Sequence, residues 1–256
     1  MAHIHTLLFR GLSSKLDRSS LDGSDFDSSL IQHLKALRIR TGEEIAFLSG
    51  TGHKLVCKCV DSKSYQFDVL EKHDFKSKGP TIELILALPK KDSLAQTLTQ
   101  CTELGLSKIT LVRSEFSDPA HKGDEKILQR AMRVIDAAAE QSQSPFCPDL
   151  NREIPQLRPY LSTSTSTVVW ANENLSALGR YGFEPSQKDA LSTKGSVSLL
   201  VGPEGGWSPS ECEWLESLKP TPLALGPQIL KVPTAAVAAL YQIHLATGAS
   251  WEKLPN

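Results

Sequence analysis

The chain lacks what several kinds of protein require. It has five cysteines, an odd number, and no C-x-x-C among Cys57, Cys59, Cys101, Cys147 and Cys212. That argues against a disulfide framework or a thiolate zinc site and leaves reduced, structural thiols. His3 and His5 form an H-x-H pair with no ligand cluster beside it, so no metal is expected. No apolar run is long enough to span a bilayer, and the opening MAHIHTLLFRGL has too short an apolar core for a signal peptide. A cytoplasmic protein with no membrane partner is the expectation. An excess of one charge is also missing: 28 Lys+Arg stand against 29 Asp+Glu, a formal net charge of -1. This disfavours a polybasic nucleic-acid binder but leaves room for a local basic face. Neither G-x-x-x-x-G-K-[ST], nor G-x-G-x-x-G after a strand, nor G-x-S-x-G occurs, which removes the P-loop, the dinucleotide fingerprint and the hydrolase elbow.

What is present falls into two rhythms. Up to Gly79, short alternating segments (HIHTLLF, EEIAFLS, HKLVCKCV, SYQFDVLE) predict strands, with GTG as a hairpin turn between two of them. One short helix is predicted over DFDSSLIQHLKALR, capped by Asp25 or Asp27. Short strands with little helix fit a small barrel. The polar KHDFKSKGP, ending in Gly79-Pro80, reads as a linker, so the predicted domains are 1–79 and 80–256. From Thr81 on, strands and helices alternate. TIELILAL is apolar throughout, as a strand covered on both faces must be. Leu94, Leu98, Cys101 and Leu104 line one face of a helix, and Ile127, Ala131, Ile135 and Ala138 line another. This alternation predicts an α/β domain with a mostly parallel sheet. The last helix, TAAVAALYQIHLATG, is apolar nearly all round and needs cover on several sides, from its own sheet or from a second copy.

Two loops stand out. SLLVGPEGGWSPSE leaves an apolar strand through Gly202, Pro203, Glu204, Gly205 and Gly206. Ser208, Pro209 and Glu211 then make an S-x-x-E capping box with proline at the first helical position. Glycines at the carboxyl end of a buried strand let a ligand approach the backbone, or serve a tight turn alone; Glu204 can order the loop or meet a cationic or hydroxyl group. LALGPQILKVPTA repeats the theme after the next strand. If the two strands are neighbours, both loops face one crevice, with Ile229 and Leu230 as walls for a flat heterocycle.

Together the two loops resemble the cofactor loops of the SPOUT-class RNA methyltransferases, and more closely the ribosomal RNA small-subunit methyltransferase E family, which methylates uridine N3 in 16S rRNA. The stretches HLKALRIRTGEEIAFLSG, LALPKKDSLAQTLTQCTELGLSKITLVRSEFS and RVIDAAAEQSQ agree with the same family, so the resemblance covers almost the whole chain. It implies a PUA-like amino-terminal barrel, a carboxyl-terminal trefoil knot, a homodimer through the second domain, and S-adenosylmethionine as cofactor. By the same resemblance, Val201, Gly202, Glu204, Gly205 and Gly206 line one side of the cofactor site. Leu225, Gly226, Ile229, Leu230, Thr234 and Ala235 line the other, and Ala171 and Glu173 form a third edge. The chain departs from the family at Gln228, Lys231, Pro233 and Ser144, where arginines or an acid are usual. Lys231 keeps a charge without the bidentate fork, and Pro233 removes a carboxylate and a backbone donor. Lys231 is the candidate cation for favouring a deprotonated uracil, and Glu140 a candidate substrate contact. Lys35, Arg38, Arg40, Lys90, Lys91, Lys126, Arg130 and Arg133 are the candidate phosphate contacts, the last three on one helix face. The departures also support a second reading, a ribosome-assembly or RNA-binding protein of this class that has lost turnover.

Overall fold

The structure is a computed structural model that describes residues 4–120, 123–172 and 181–255. The chain forms two compact units. One is Met1–Ser77 with Asp136–Cys147 and Trp251–Asn256; the other is Lys78–Ile135 with Pro148–Ser250. The first unit thus gathers two later segments that a single cut after residue 79 leaves with the second.

The strands of the first unit are β1 (His5–Leu8), β2 (Ser20–Leu21), β3 (Glu44–Leu48), β4 (His53–Asp61), β5 (Gln66–Lys78) and β12 (Ser250–Lys253). They run in the order β1-β3-β4-β5-β12, with β2 also on β5. The β3–β4 pair is the expected hairpin, and the Ser49 hydroxyl fixes its turn by accepting from the amides of Thr51 and His53, each at 3.0 Å. Helix α1 (Ser28–Leu37) starts where the Asp27 carboxylate accepts from the Leu30 amide at 2.8 Å; Asp25 instead accepts from Asp22, one turn earlier. Its Leu30 and Leu34 join a core built around Phe9, Phe26, Phe47 and Phe67. Ring centroids there lie 5.3 to 6.3 Å apart, mostly edge to face, each pair adding about 1 kcal/mol beyond simple burial.

The polar stretch expected to be a linker is strand. Lys72, His73 and Asp74 pair with Leu55, Lys54 and His53, and β5 continues to Lys78. Polar composition misleads here because one face of this part of β5 carries exposed polar side chains and the other has only His73 and Phe75 partly buried, while strand pairing needs only the backbone. The carboxyl end is a second departure. Strand–helix alternation was expected to run to the end of the chain, but after its last helix the chain adds β12 to the sheet of the first unit.

The second unit contains β6 (Thr81–Ala87), β7 (Lys108–Val112), β8 (Asp149–Leu150), β9 (Thr167–Ala171), β10 (Ser196–Val201) and β11 (Thr221–Leu223). Their order is β11-β9-β10-β6-β7-β8, and every pair is parallel. The helices are α2 (Lys91–Leu104), α3 (Asp124–Ser142), α4 (Leu157–Ser162), α5 (Pro185–Ser192), α6 (Pro209–Ser217) and α7 (Val232–Thr247), with α3 leaving this unit at Asp136. The predicted stripe of α3 is buried throughout, whereas α2 buries Leu94, Leu98 and Cys101 but leaves Leu104, its last residue, exposed. Burial pushes the Cys57 and Cys101 thiols up to about 12, as inert core residues. Helix α7 is less symmetric than its composition: Ala236, Ala239, Leu240 and Ile243 are buried, while Tyr241 and Leu245 are exposed. Within the sheet, Glu83 accepts hydrogen bonds from Thr110 and Tyr160, both at 2.6 Å, and Lys108 at 3.0 Å. Burial works to raise the Glu83 carboxyl, but these donors outweigh it and hold it below the ordinary glutamate value. Among the described residues no helix is long and apolar enough to cross a membrane.

Candidate functional site

The register of the parallel sheet sets the site. Leu200 pairs with Trp170, and Leu223 with Ala171, so β9, β10 and β11 end level with one another at their carboxyl edge. The strands that lead into the two glycine loops are not neighbours, as β9 lies between them. The loops still meet, because β9 ends level with both flanking strands and its last residues line the same cleft.

Helix α6 begins as expected. Ser208 accepts from the Glu211 amide at 3.2 Å, Glu211 accepts from the Ser208 amide at 3.0 Å, and Pro209 takes the first turn. The buried Glu211 carboxylate also accepts from the Glu115 amide at 2.9 Å. Two of the glycines have local reasons. Gly206 has φ +70° and closes a turn onto the Pro203 carbonyl at 2.9 Å. A Cβ at Gly202 would stand 3.0 Å from the indole of Trp207. Glu204 orders the loop: it accepts from the Lys90 amide at 3.1 and 3.2 Å and from the Ser93 hydroxyl at 2.6 Å. It thereby caps α2, whose own N-cap residue, Lys90, offers no side-chain bond.

The second loop runs from Ala224 to Lys231, the N-cap residue of α7. Pro233 is buried in the first turn, where a missing amide costs no helical bond. The two loops and the end of β9 enclose a cleft of about 480 Å³. Ala171, Val201, Gly202, Glu204, Gly205, Gly206, Leu225, Gly226, Ile229, Leu230 and Ala235 line it. Thr234 does not; it is exposed on α7, and Ile229 stands 81% exposed at the rim rather than as a wall. Glu173 lies outside the described residues. Sequence reasoning missed Trp170, Asn172, Trp207 and Cys212, which also line the cleft, as does Gln228, named there only as a departure. Trp170 was findable as the penultimate residue of a strand ending at the same edge. Its indole N–H is buried without a hydrogen-bond partner among the described residues.

Residues 77–244 match the RNA methyltransferase domain. The chain belongs to the RNA methyltransferase domain family. It is 26% identical over 217 residues to ribosomal RNA small subunit methyltransferase E of Rickettsia conorii, covering 82% of this chain and 83% of that one. The Bacillus subtilis protein of the same name is 27% identical over 231 residues, covering 85% and 90%. The fold matches a crystal structure of ribosomal RNA small subunit methyltransferase E from Neisseria gonorrhoeae bound to S-adenosyl methionine, with TM-score 0.78, 23% identity, and 96% and 98% of the two chains covered.

The other candidate residues are spread more widely. Lys231 lines the cleft and is exposed. Glu140 does not line it; in the first unit its Oε1 accepts from the Leu8 amide at 2.9 Å, with His33 Nδ1 at 3.8 Å. Burial pushes the Glu140 carboxyl above its ordinary range, against the lowering by the Leu8 amide and His33. Lys35, Arg38 and Arg40 are exposed at the end of α1, where Arg38 takes a left-handed conformation. Lys91, Lys126 and Arg130 line a groove of about 400 Å³ between α2 and α3, while Lys90 is bound through its amide to Glu204. Arg133 parts from its helix neighbours, because its Nε donates to the Gln129 carbonyl and it lines a different groove, with residues 150–155.

Proposed function

We propose that this methyltransferase transfers a methyl group from S-adenosylmethionine to N3 of a uridine in 16S ribosomal RNA of the small subunit. The observation that carries the reading is the convergence of the Gly202–Gly206 and Leu225–Ala235 loops on one cleft at the carboxyl edge of a parallel sheet, where α/β proteins bind ligands. The residues present fit an adenosyl group: the volume suits a small cofactor, the walls are largely apolar, and Trp170 offers an unused donor beside them. The bound sulfonium supplies a methyl carbon that is already electrophilic. The chain's own work is to fix that carbon in line with the nucleophile and to keep water out. Glu204 prepares one loop for this by tying it to α2, and the Trp207 ring packs on Gly202 from the same loop. The uracil N3 gives its imide proton to solvent, the Lys231 ammonium, at the cleft, favours the resulting anion, and methyl transfer leaves the donor as the neutral thioether S-adenosylhomocysteine.

The same reading makes the first unit a PUA-like barrel that holds RNA with Lys35, Arg38 and Arg40. It threads the second unit's carboxyl end as a trefoil knot and pairs two copies through α7, where Tyr241 and Leu245 are 53% and 61% exposed. Lys90, Lys91, Lys126, Arg130 and Arg133 then meet phosphates, and binding weakens with salt. The test is to map 3-methyluridine in small-subunit RNA from cells with and without the protein. A site lost with the protein and restored by adding it back supports the reading. Cofactor binding with no methylation of any RNA would leave an assembly protein instead.

A further inference from the structure

The carboxyl-terminal strand carries a feature that the cleft does not use. Trp251 on β12 is half exposed, and its ring meets Phe75 of β5 edge to face, with centroids 5.2 Å apart and planes at 88°. Lys253 lies two residues on, on the same face of the strand. On the other side of β5, His73 pairs with Lys54, so Lys54, His73, Phe75, Trp251 and Lys253 share one face of the sheet. Among the described residues the Lys54 ammonium has no carboxylate within ion-pair distance and reaches the Gln143 side-chain oxygen at 3.5 Å. Glu71, the nearby acid, is engaged by His73 Nε2 at 2.8 Å. Burial, and then the charge of Lys253, lower the Lys54 ammonium, against the pull of Glu71. A half-exposed indole held edge-on, beside two mutually repelling ammonium groups, suits a ligand that brings a flat ring and an anion together.

We propose that this face of the first unit is a stacking platform for an unpaired nucleotide of single-stranded RNA, with the base on Trp251 and its phosphate between Lys54 and Lys253. The assignment rests on the RNA methyltransferase reading for its choice of ligand. An indole accepts any base by stacking, and the lysines track the backbone, so recognition is of single strands rather than of sequence.

The full chain, titrated with a short fluorescein-labelled oligouridine at several salt concentrations and followed by anisotropy, tests this. Trp251→Ala should weaken binding about tenfold or more, and Trp251→Phe, which keeps an aromatic face, should weaken it far less. The Lys54→Ala/Lys253→Ala double variant should lower the slope of log affinity against log salt by about 0.7, one phosphate contact. Thermal midpoints and S-adenosylmethionine titrations on the same proteins show whether each variant is folded. Failure of the wild-type protein to bind S-adenosylmethionine would strike the methyltransferase reading and leave the platform standing. Oligouridine binding that is unchanged in all folded variants would overturn the platform. So would weaker binding to assembled small subunits with unchanged oligouridine binding, because the face would then dock protein.

Discussion

Replacing Glu204 with alanine separates two uses of the carboxylate in the glycine loop. The structure gives it three interactions, all with the start of α2: the Lys90 amide at 3.1 and 3.2 Å and the Ser93 hydroxyl at 2.6 Å. Loss of a helix cap costs about 0.5–2 kcal/mol, and loss of an anion at a helix amino end a further 0.3–1 kcal/mol or so. Glu204 is exposed, so the lower half applies, and about 1–1.5 kcal/mol of stability should be lost. Because the freed loop must then be ordered when the cofactor binds, affinity for S-adenosylmethionine should fall by a similar free energy, about tenfold. Glu204→Gln keeps one acceptor and should lose about half. Unfolding curves and calorimetric titration measure both quantities. A cycle with Ser93→Ala should show coupling of about 0.5–1.5 kcal/mol. The reasoning fails if Glu204→Ala leaves the unfolding midpoint unchanged and the Ser93 coupling at zero while abolishing cofactor binding, since Glu204 would then touch the ligand itself.

Three further outcomes follow from the same contacts. Glu83→Gln should cost about 1–2 kcal/mol at neutral pH. The Glu83 carboxyl is depressed in the folded state, so the wild-type advantage should fade as pH falls from about 4.5 through that lower value; a gap in urea midpoints that persists in acid would contradict this. Glu140→Gln should behave in the opposite sense. The Glu140 carboxyl is raised, so wild type gives up stability as pH climbs past 4.5 through the raised value. The variant should therefore match wild type in acid and be at least as stable at neutral pH, and loss of stability there would refute the assignment. Lys231→Ala should slow methyl transfer by about 10²-fold with cofactor affinity nearly unchanged, as read from single-turnover rates and calorimetry; equal turnover removes Lys231 from the chemistry.

Local signals were legible where backbone and side chain agree. The S-x-x-E box at Ser208, the GTG hairpin and the stripe of α3 all appear where their residue types place them, because caps, turns and amphipathic faces are set by neighbours in sequence. The two loops were legible as a pair, and most of the residues named from them line one cleft. What escaped depends on distant partners. The polar half of β5 is a strand only because β4 and β12 pair with it, and β12 itself is too short and mixed to announce a strand. Glu204 was recognised as an acid that could order its loop, but its partner, the start of α2, lies 114 positions away. Trp170 was passed over because an aromatic in an apolar segment reads as core, and the edge at which β9 ends is fixed by register alone; Trp207 was passed over because the glycines beside it drew the reading of that loop.

A crystal structure of the protein grown with S-adenosylmethionine tests the central claim most directly. The adenosyl group should lie between Gly202–Gly206 and Leu225–Ala235, against Ala171 and Trp170. The cofactor bound anywhere else, or those two segments standing apart in the crystal, would contradict it.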